Sequence, residues 1–261
     1  MLNTKPPMSI NSASMPVQGR ENISSHERVL MILKVLAQFG RPVNAAELMK
    51  ATGLAKSTLY RQLVMLKRWG FVFESGNLYA PGPVSLQLAL GFNTVSLLTH
   101  HGRPEMQWLS DLARETVAIT VAVDAQAVCV DMIEAPQSLR CSFEKGRSLP
   151  LRDGATAKCL LAHLPDLQQQ SILQAEFPDP AERNDRLAQL QDIRTQGYAC
   201  SQGEVDDGVW GISAPLFASG AFVLGVLSLM APWQRAVDRQ PQLIGLAIEA
   251  AGRINKRLRA S

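Results

Sequence analysis

The chain of 261 residues is 46% hydrophobic and 19% charged, with a formal net charge of +3, the profile of a globular chain of one large or two modest domains. No apolar run reaches the roughly 18 residues of a transmembrane helix, and the N-terminus lacks the apolar stretch of a secretory leader, so the expected compartment is the cytoplasm, with no membrane partner. Charge is uneven: residues 1–90 carry 10 Lys/Arg against 4 Asp/Glu and residues 91–261 carry 16 against 19, which places the basic excess where a phosphate-binding surface would need it.

Residues 1–22 hold Pro6, Pro7 and Pro16 among Ser and Asn without apolar period and read as a disordered tail. Ser24 with Glu27 has capping-box spacing and opens a helix that buries Val29, Ile32, Leu33 and Leu36. Gly40 and Pro42 stop it. Asn44 with Glu47 opens a second helix burying Ala45, Leu48 and Met49, and Gly53 supplies the positive φ of the following turn. A third helix is expected from about Lys56 to Trp69. Its Leu59, Leu63 and Leu66 share the inner face, which leaves Ser57, Arg61, Val64 and Arg68 outward with Tyr60 on the flank. Phe71–Phe73 and Leu78–Tyr79 form a hairpin about Ser75-Gly76-Asn77. Two helices across a Gly turn, followed by a hairpin, outline a winged helix-turn-helix over 23–83, a unit that sets a helix in the major groove of double-stranded DNA.

Pro81 and Pro83 break the pattern, and 84–99 reads as a linker helix, amphipathic and nearly uncharged. The module at 100–261 is expected to carry helices near 103–115, 154–163, 166–175, 183–196 and 236–258. Strands are expected at 117–123, 127–134, 138–143, 212–217 and 222–230. Strands in hairpins with helices between them predict an α+β fold on an antiparallel sheet.

The residues also carry a resemblance. The run GLAKSTLYRQLVMLKRWGF (53–71) and three later stretches, PQSLRCSFEKGRSLPLRDGATAKCLLAHLP (136–165), IRTQGYACSQGEVDDGVWGISAPL (193–216) and GVLSLMAP (225–232), resemble the IclR family of transcriptional regulators over about 24–258. The resemblance implies an N-terminal winged helix-turn-helix, a linker helix and a C-terminal GAF-like effector domain. It further implies homodimers, often paired into tetramers, that bind operator DNA under the control of a small-molecule effector, commonly for catabolic operons. Lys56, Ser57, Thr58 and Arg61 fall on the family's recognition-helix positions, and Tyr60 and Arg68 join them from the helical geometry. Arg61 could read a guanine or contact a phosphate, and Tyr60 could equally pack beside the second helix.

In relatives that bind small carboxylates, the resemblance implies a pocket of a Gly-Ala at a helix start, an Asp, a Cys and a Ser-x-Ser strand. Here these positions hold Gly154 and Ala155, Ser201, Gly211, and Ser228 with Met230. A helix N-terminus suits an anion, and the replacements make the site roomier and less polar. The expected effector is therefore an aromatic or larger carboxylic acid held by Ser228 and the helix end, with Met230 and Leu149 as apolar wall. Met230 could instead simply fill the core.

Cys129, Cys141, Cys159 and Cys200 lie far apart without a C-x-x-C pair, as buried free thiols do. No metal site, cofactor or enzymatic constellation is expected: the histidines lack ligand spacing, G-I-S-A-P (211–215) is not a nucleophile elbow, and Asp206-Asp207 reads as a solvated turn. Two function classes stay open, a ligand-responsive DNA-binding regulator and an α+β ligand-binding or enzymatic domain whose helix-turn-helix serves protein contacts.

Overall fold

The computed structural model describes residues 23–95, 97–139, 141, 144–217 and 223–260, with the backbone alone for 90–95. The tail expected over 1–22 lies outside them. The chain divides into two compact units, Met1–Ala89 and Leu90–Ser261.

In the first unit, both capping boxes form. Ser24 caps α1 (Ser25–Phe39), with Glu27 closing back on the Ser24 amide. Past β1 (Val43–Asn44), Asn44 and Glu47 do the same for α2 (Ala45–Thr52). Gly53, at φ 67°, turns the chain into α3 (Lys56–Arg68). The wing is β2 (Val72–Ser75) with β3 (Leu78–Pro81). β3 also pairs with β1, giving a three-stranded antiparallel sheet. That third strand has only two residues, too few for any period to announce it. Leu59, Leu63 and Leu66 of α3 pack with Ile32, Leu36 and Leu48 in one core. Gln62 is buried with them and its amide donates to Ser25 Oγ at 3.3 Å. The helix α4 (Pro83–Val95) follows the wing and runs across the boundary between the units.

The second unit opens with α5 (Leu97–Ala113), which starts before the expected residue 103 because Leu98 joins the core that Met106 and Leu109 build. The strands β4 (Thr116–Val123), β5 (Gln126–Ile133) and β6 (Ser148–Pro150) follow. Next come α6 (Ala155–His163), α7 (Asp166–Glu176), α8 (Pro180–Gln196), β7 (Ala199–Gln202), β8 (Val209–Phe217) and β9 (Val223–Pro232), then α9 (Trp233–Ala236) and α10 (Gln240–Arg259). The six strands form one antiparallel sheet in the order β6-β5-β4-β9-β8-β7.

Strand alternation then sorts the core into two layers. Leu227, Leu229 and Ala231 of β9 face the layer of α5 and α10. Val226 faces the opposite layer, where Leu160, Leu161, Phe177 and Ile193 of the intervening helices meet. The strand expected at 138–143 does not form where it is described: Ser138, Leu139 and Cys141 lie outside any strand, and the rest of that stretch is outside the described residues. Edge pairing with β5 goes instead to β6, and β7, too short to signal itself, closes the other edge. Among the described residues no helix is long and apolar enough to cross a membrane.

Candidate functional site

On α3 the inward leucines fix the opposite face outward. Lys56, Ser57, Tyr60, Arg61, Val64 and Arg68 are all exposed, and Thr58 is half-buried at the first turn. Among the described residues, no hydrogen bond or ion pair engages the side chains of Lys56, Ser57, Arg61 or Arg68. This face therefore offers cations and a hydroxyl with no internal partner, the donor set that phosphates and guanine edges accept. The wing is tied to the end of the same helix by an ion pair between Lys67 and Glu74. Tyr79, the buried residue of β3, has its phenol pushed up to about 12 by burial and by Glu74 on the paired strand.

In the second unit a cavity of about 80 Å³ opens at the N-terminus of α6. Three strands supply its floor through register: Ser201 of β7 lies opposite Gly211 of β8, which lies opposite Met230 of β9. Gly211 leaves the space open, since a Cβ there would meet Ser201 Oγ only at 3.7 Å and Ala155 Cβ at 3.8 Å. Leu149 of β6 and Ala127 of β5 form one wall, and Glu204, Val205 and Asp206 overhang from the β7–β8 turn. Six of the residues singled out from the sequence, Leu149, Gly154, Ala155, Ser201, Gly211 and Met230, thus line a single cavity.

Ser228 is placed otherwise. It is 1% exposed and does not line the cavity. Its hydroxyl is engaged by Ser213 Oγ at 2.7 Å and Thr156 Oγ1 at 2.9 Å. Ser228 stands beside Ser213, and both Ser213 and Thr156, which do line the cavity, lie between it and the open space. Ser228 therefore supports the wall from beneath.

The helix start carries more chemistry than the sequence reading found. Ala155 N–H donates to Ser201 Oγ at 2.8 Å and Gly154 N–H donates to Glu204 Oε2 at 2.9 Å. Glu204 Oε1 accepts from Lys158 Nζ at 2.6 Å, and the lysine side chain is only 3% exposed. Thr156, Lys158 and Glu204 were all missed. The one available signal was Lys158 itself, a cation in the otherwise apolar helix ATAKCLLAH, where a charge needs a dedicated partner.

The four thiols are free. Burial pushes Cys129 up to about 12 and Cys141 and Cys200 to about 11, and it raises Cys159 as well. They are held as thiols, poor nucleophiles and poor ligands. Among the described residues no three His, Cys, Asp or Glu side chains group as a metal site.

Comparison with known proteins adds independent findings. Residues 94–256 match the family model described as the bacterial transcriptional regulator IclR C-terminal domain, and residues 25–74 match the IclR helix-turn-helix domain. The acetate operon repressor of Salmonella typhimurium is 27% identical over 254 residues, covering 92% of this chain and 91% of its own. The regulator KdgR of Dickeya chrysanthemi is 28% identical, covering 91% and 81%. A crystal structure of an IclR homologue from Microbacterium hydrocarbonoxydans, complexed with 4-hydroxybenzoate, superposes with a TM-score of 0.73 at 21% identity, covering 91% of this chain and all of that one. These relatives and both family models are of transcriptional regulators, not enzymes.

Proposed function

The chain belongs to the IclR family of DNA-binding transcriptional regulators, and from that premise we propose how it reads DNA and what controls it. The outer face of α3 enters the major groove, with Arg61 donating to a base edge, Lys56, Ser57 and Arg68 contacting phosphates, and Thr58 and Tyr60 flanking them. The reader acts as a homodimer, or as a pair of dimers, so that two half-sites are engaged about one helical turn apart, roughly 34 Å. The operon controlled is catabolic, and the protein works in the cytoplasm.

The controlling ligand is an organic carboxylate seated at the start of α6. The observation that carries this reading is the convergence of Gly154, Ala155, Ser201, Gly211 and Met230 on one cavity at a helix N-terminus, where backbone N–H groups and positive potential favour an anion. Leu149 and Met230 supply apolar wall, which suits an aromatic acid, and a structural neighbour holds 4-hydroxybenzoate. The cavity of about 80 Å³ is about half the 150 Å³ that accepts benzene in an engineered protein core. An aromatic acid therefore enters only if the overhanging β7–β8 turn moves aside.

Fluorescence anisotropy on duplexes from upstream of the gene and its neighbours, with random duplex as control across a salt series, tests the first part. Specific, salt-dependent binding is expected, and Arg61→Ala should remove about 1–3 kcal/mol of discrimination. Equal binding to every duplex, unchanged by Arg61→Ala, would refute the assignment of Arg61. Calorimetry with glyoxylate, pyruvate, benzoate and 4-hydroxybenzoate tests the second part. Tight binding of the small acids with no aromatic hit would overturn the aromatic reading.

A further inference from the structure

The anion seat at α6 is already filled by a carboxylate of the chain itself. Glu204 bridges Gly154 N–H at 2.9 Å and Lys158 Nζ at 2.6 Å, one oxygen to each. An incoming carboxylate placed on the helix start meets this side chain first. The two carboxylates cannot share the seat, because like charges at that range repel strongly in a partly desolvated site.

The partners differ in how firmly they are held. Lys158 is fixed in the interior, its side chain 3% exposed, whereas that of Glu204 is 32% exposed. Burying an ammonium without a counter-charge is costly. Whatever removes Glu204 must therefore bring a negative charge of its own. Glu204 sits in a short turn closed by Gly203 N–H donating to Val209 O at 2.8 Å. Gly203 and Gly208, at φ 64° and 74°, bound the turn, and neither has an atom within 4 Å of where a Cβ would stand. Val205, next along, covers Gly154: its Cγ2 lies 2.8 Å from where a Cβ on that glycine would sit. Carboxylate and roof therefore belong to one turn and leave together.

We propose that Glu204 is a resident stand-in for the effector's carboxylate, and that the effector binds by anion exchange, taking over Gly154 N–H and Lys158 while the 203–208 turn swings off the cavity. This rests on the reading of the cavity as the effector seat. Two consequences follow for specificity. Neutral isosteres of an acid are rejected, since they would leave Lys158 uncompensated. Every acid competes with a tethered carboxylate, whose effective concentration for a short flexible tether is on the order of millimolar, so weak anions are screened out.

The test is calorimetry of the full chain, wild type and Glu204→Ala, with acetate, benzoate and benzamide. Glu204→Ala should bind benzoate about tenfold or more tighter than wild type, as removal of a tethered competitor implies, and wild type should not bind benzamide. Benzoate binding by wild type that is equal or weaker in Glu204→Ala would overturn the stand-in while leaving the effector seat intact. Failure of both proteins to bind either carboxylate would overturn the seat and the stand-in together. Should Glu204→Ala not fold, Glu204→Gln serves, and hydrogen exchange on wild type gives an independent reading. Benzoate should speed exchange of the Gly203 and Val209 amides if the turn departs. Added protection there would refute the proposal.

Discussion

The outer face of α3 and the cavity beside α6 both carry polar groups suited to a negatively charged partner, but they hold them in opposite ways. Lys56, Ser57, Arg61 and Arg68 stand in solvent with no internal partner among the described residues. At α6 the Gly154 and Ala155 amides, the Lys158 ammonium and the hydroxyls of Thr156, Ser213 and Ser228 are bonded within the chain. Water explains the contrast. An exposed guanidinium is solvated until DNA arrives, whereas a donor in a closed site costs about 1–3 kcal/mol if left unmade. A solvated face can keep its donors free, while a buried site must supply its own acceptors.

If that contrast holds, substitutions should separate by what they damage. The largest effect is expected on the hidden side of the reading helix. Leu59→Ala, at a position with no exposure, should cost about 2–5 kcal/mol of stability in denaturant unfolding, and a cost under about 1 kcal/mol would mean α3 is not anchored as described. Next is Ser228→Val, which takes a hydroxyl from both Thr156 and Ser213. About 1–3 kcal/mol of stability should be lost, with effector affinity falling only secondarily. An unchanged melt with abolished binding would instead return Ser228 to the ligand.

Arg61→Ala and Arg68→Ala sharpen the comparison from the other side. Each should leave stability within about 0.5 kcal/mol of wild type. If Arg68 meets only phosphate, its removal should lower the slope of affinity against salt by about one and leave sequence preference alone. The smallest effect concerns His163, at the end of α6. Burial depresses its pKa from the usual 6.5, against a hydrogen bond to Cys159 O that works the other way. The unfolded chain binds this proton more readily than the folded one. The contribution of neutral His163 is therefore complete above about pH 6.5 and is lost as pH falls below it. His163→Gln should flatten that limb of the stability profile, and an unaltered limb would assign it to other groups.

Much of the reader was legible from local chemistry. Ser24 with Glu27 and Asn44 with Glu47 mark helix starts at fixed three-residue spacing, and the leucines of α3 define which face is left outward. In the second unit, the residues around the cavity were reached through family resemblance; their polar partners were not. Lys158 and Glu204 are 46 positions apart, and Thr156, Ser213 and Ser228 come from three elements. The short β1 and β7 carry too few residues for an alternating pattern. Ser228 shows the limit most directly, since its residue type fits a ligand anchor and only the packing of α6 on the sheet engages its hydroxyl with Thr156 and Ser213.

By itself the sequence determined the first three helices, the caps of α1 and α2, the outward face of α3 and the α+β character of the second unit, because each depends on neighbours within one or two turns of chain. Only the tertiary structure decided which donors stay free and which are already satisfied, because a buried polar group is matched by whatever strand register and turn geometry bring within about 3 Å of it.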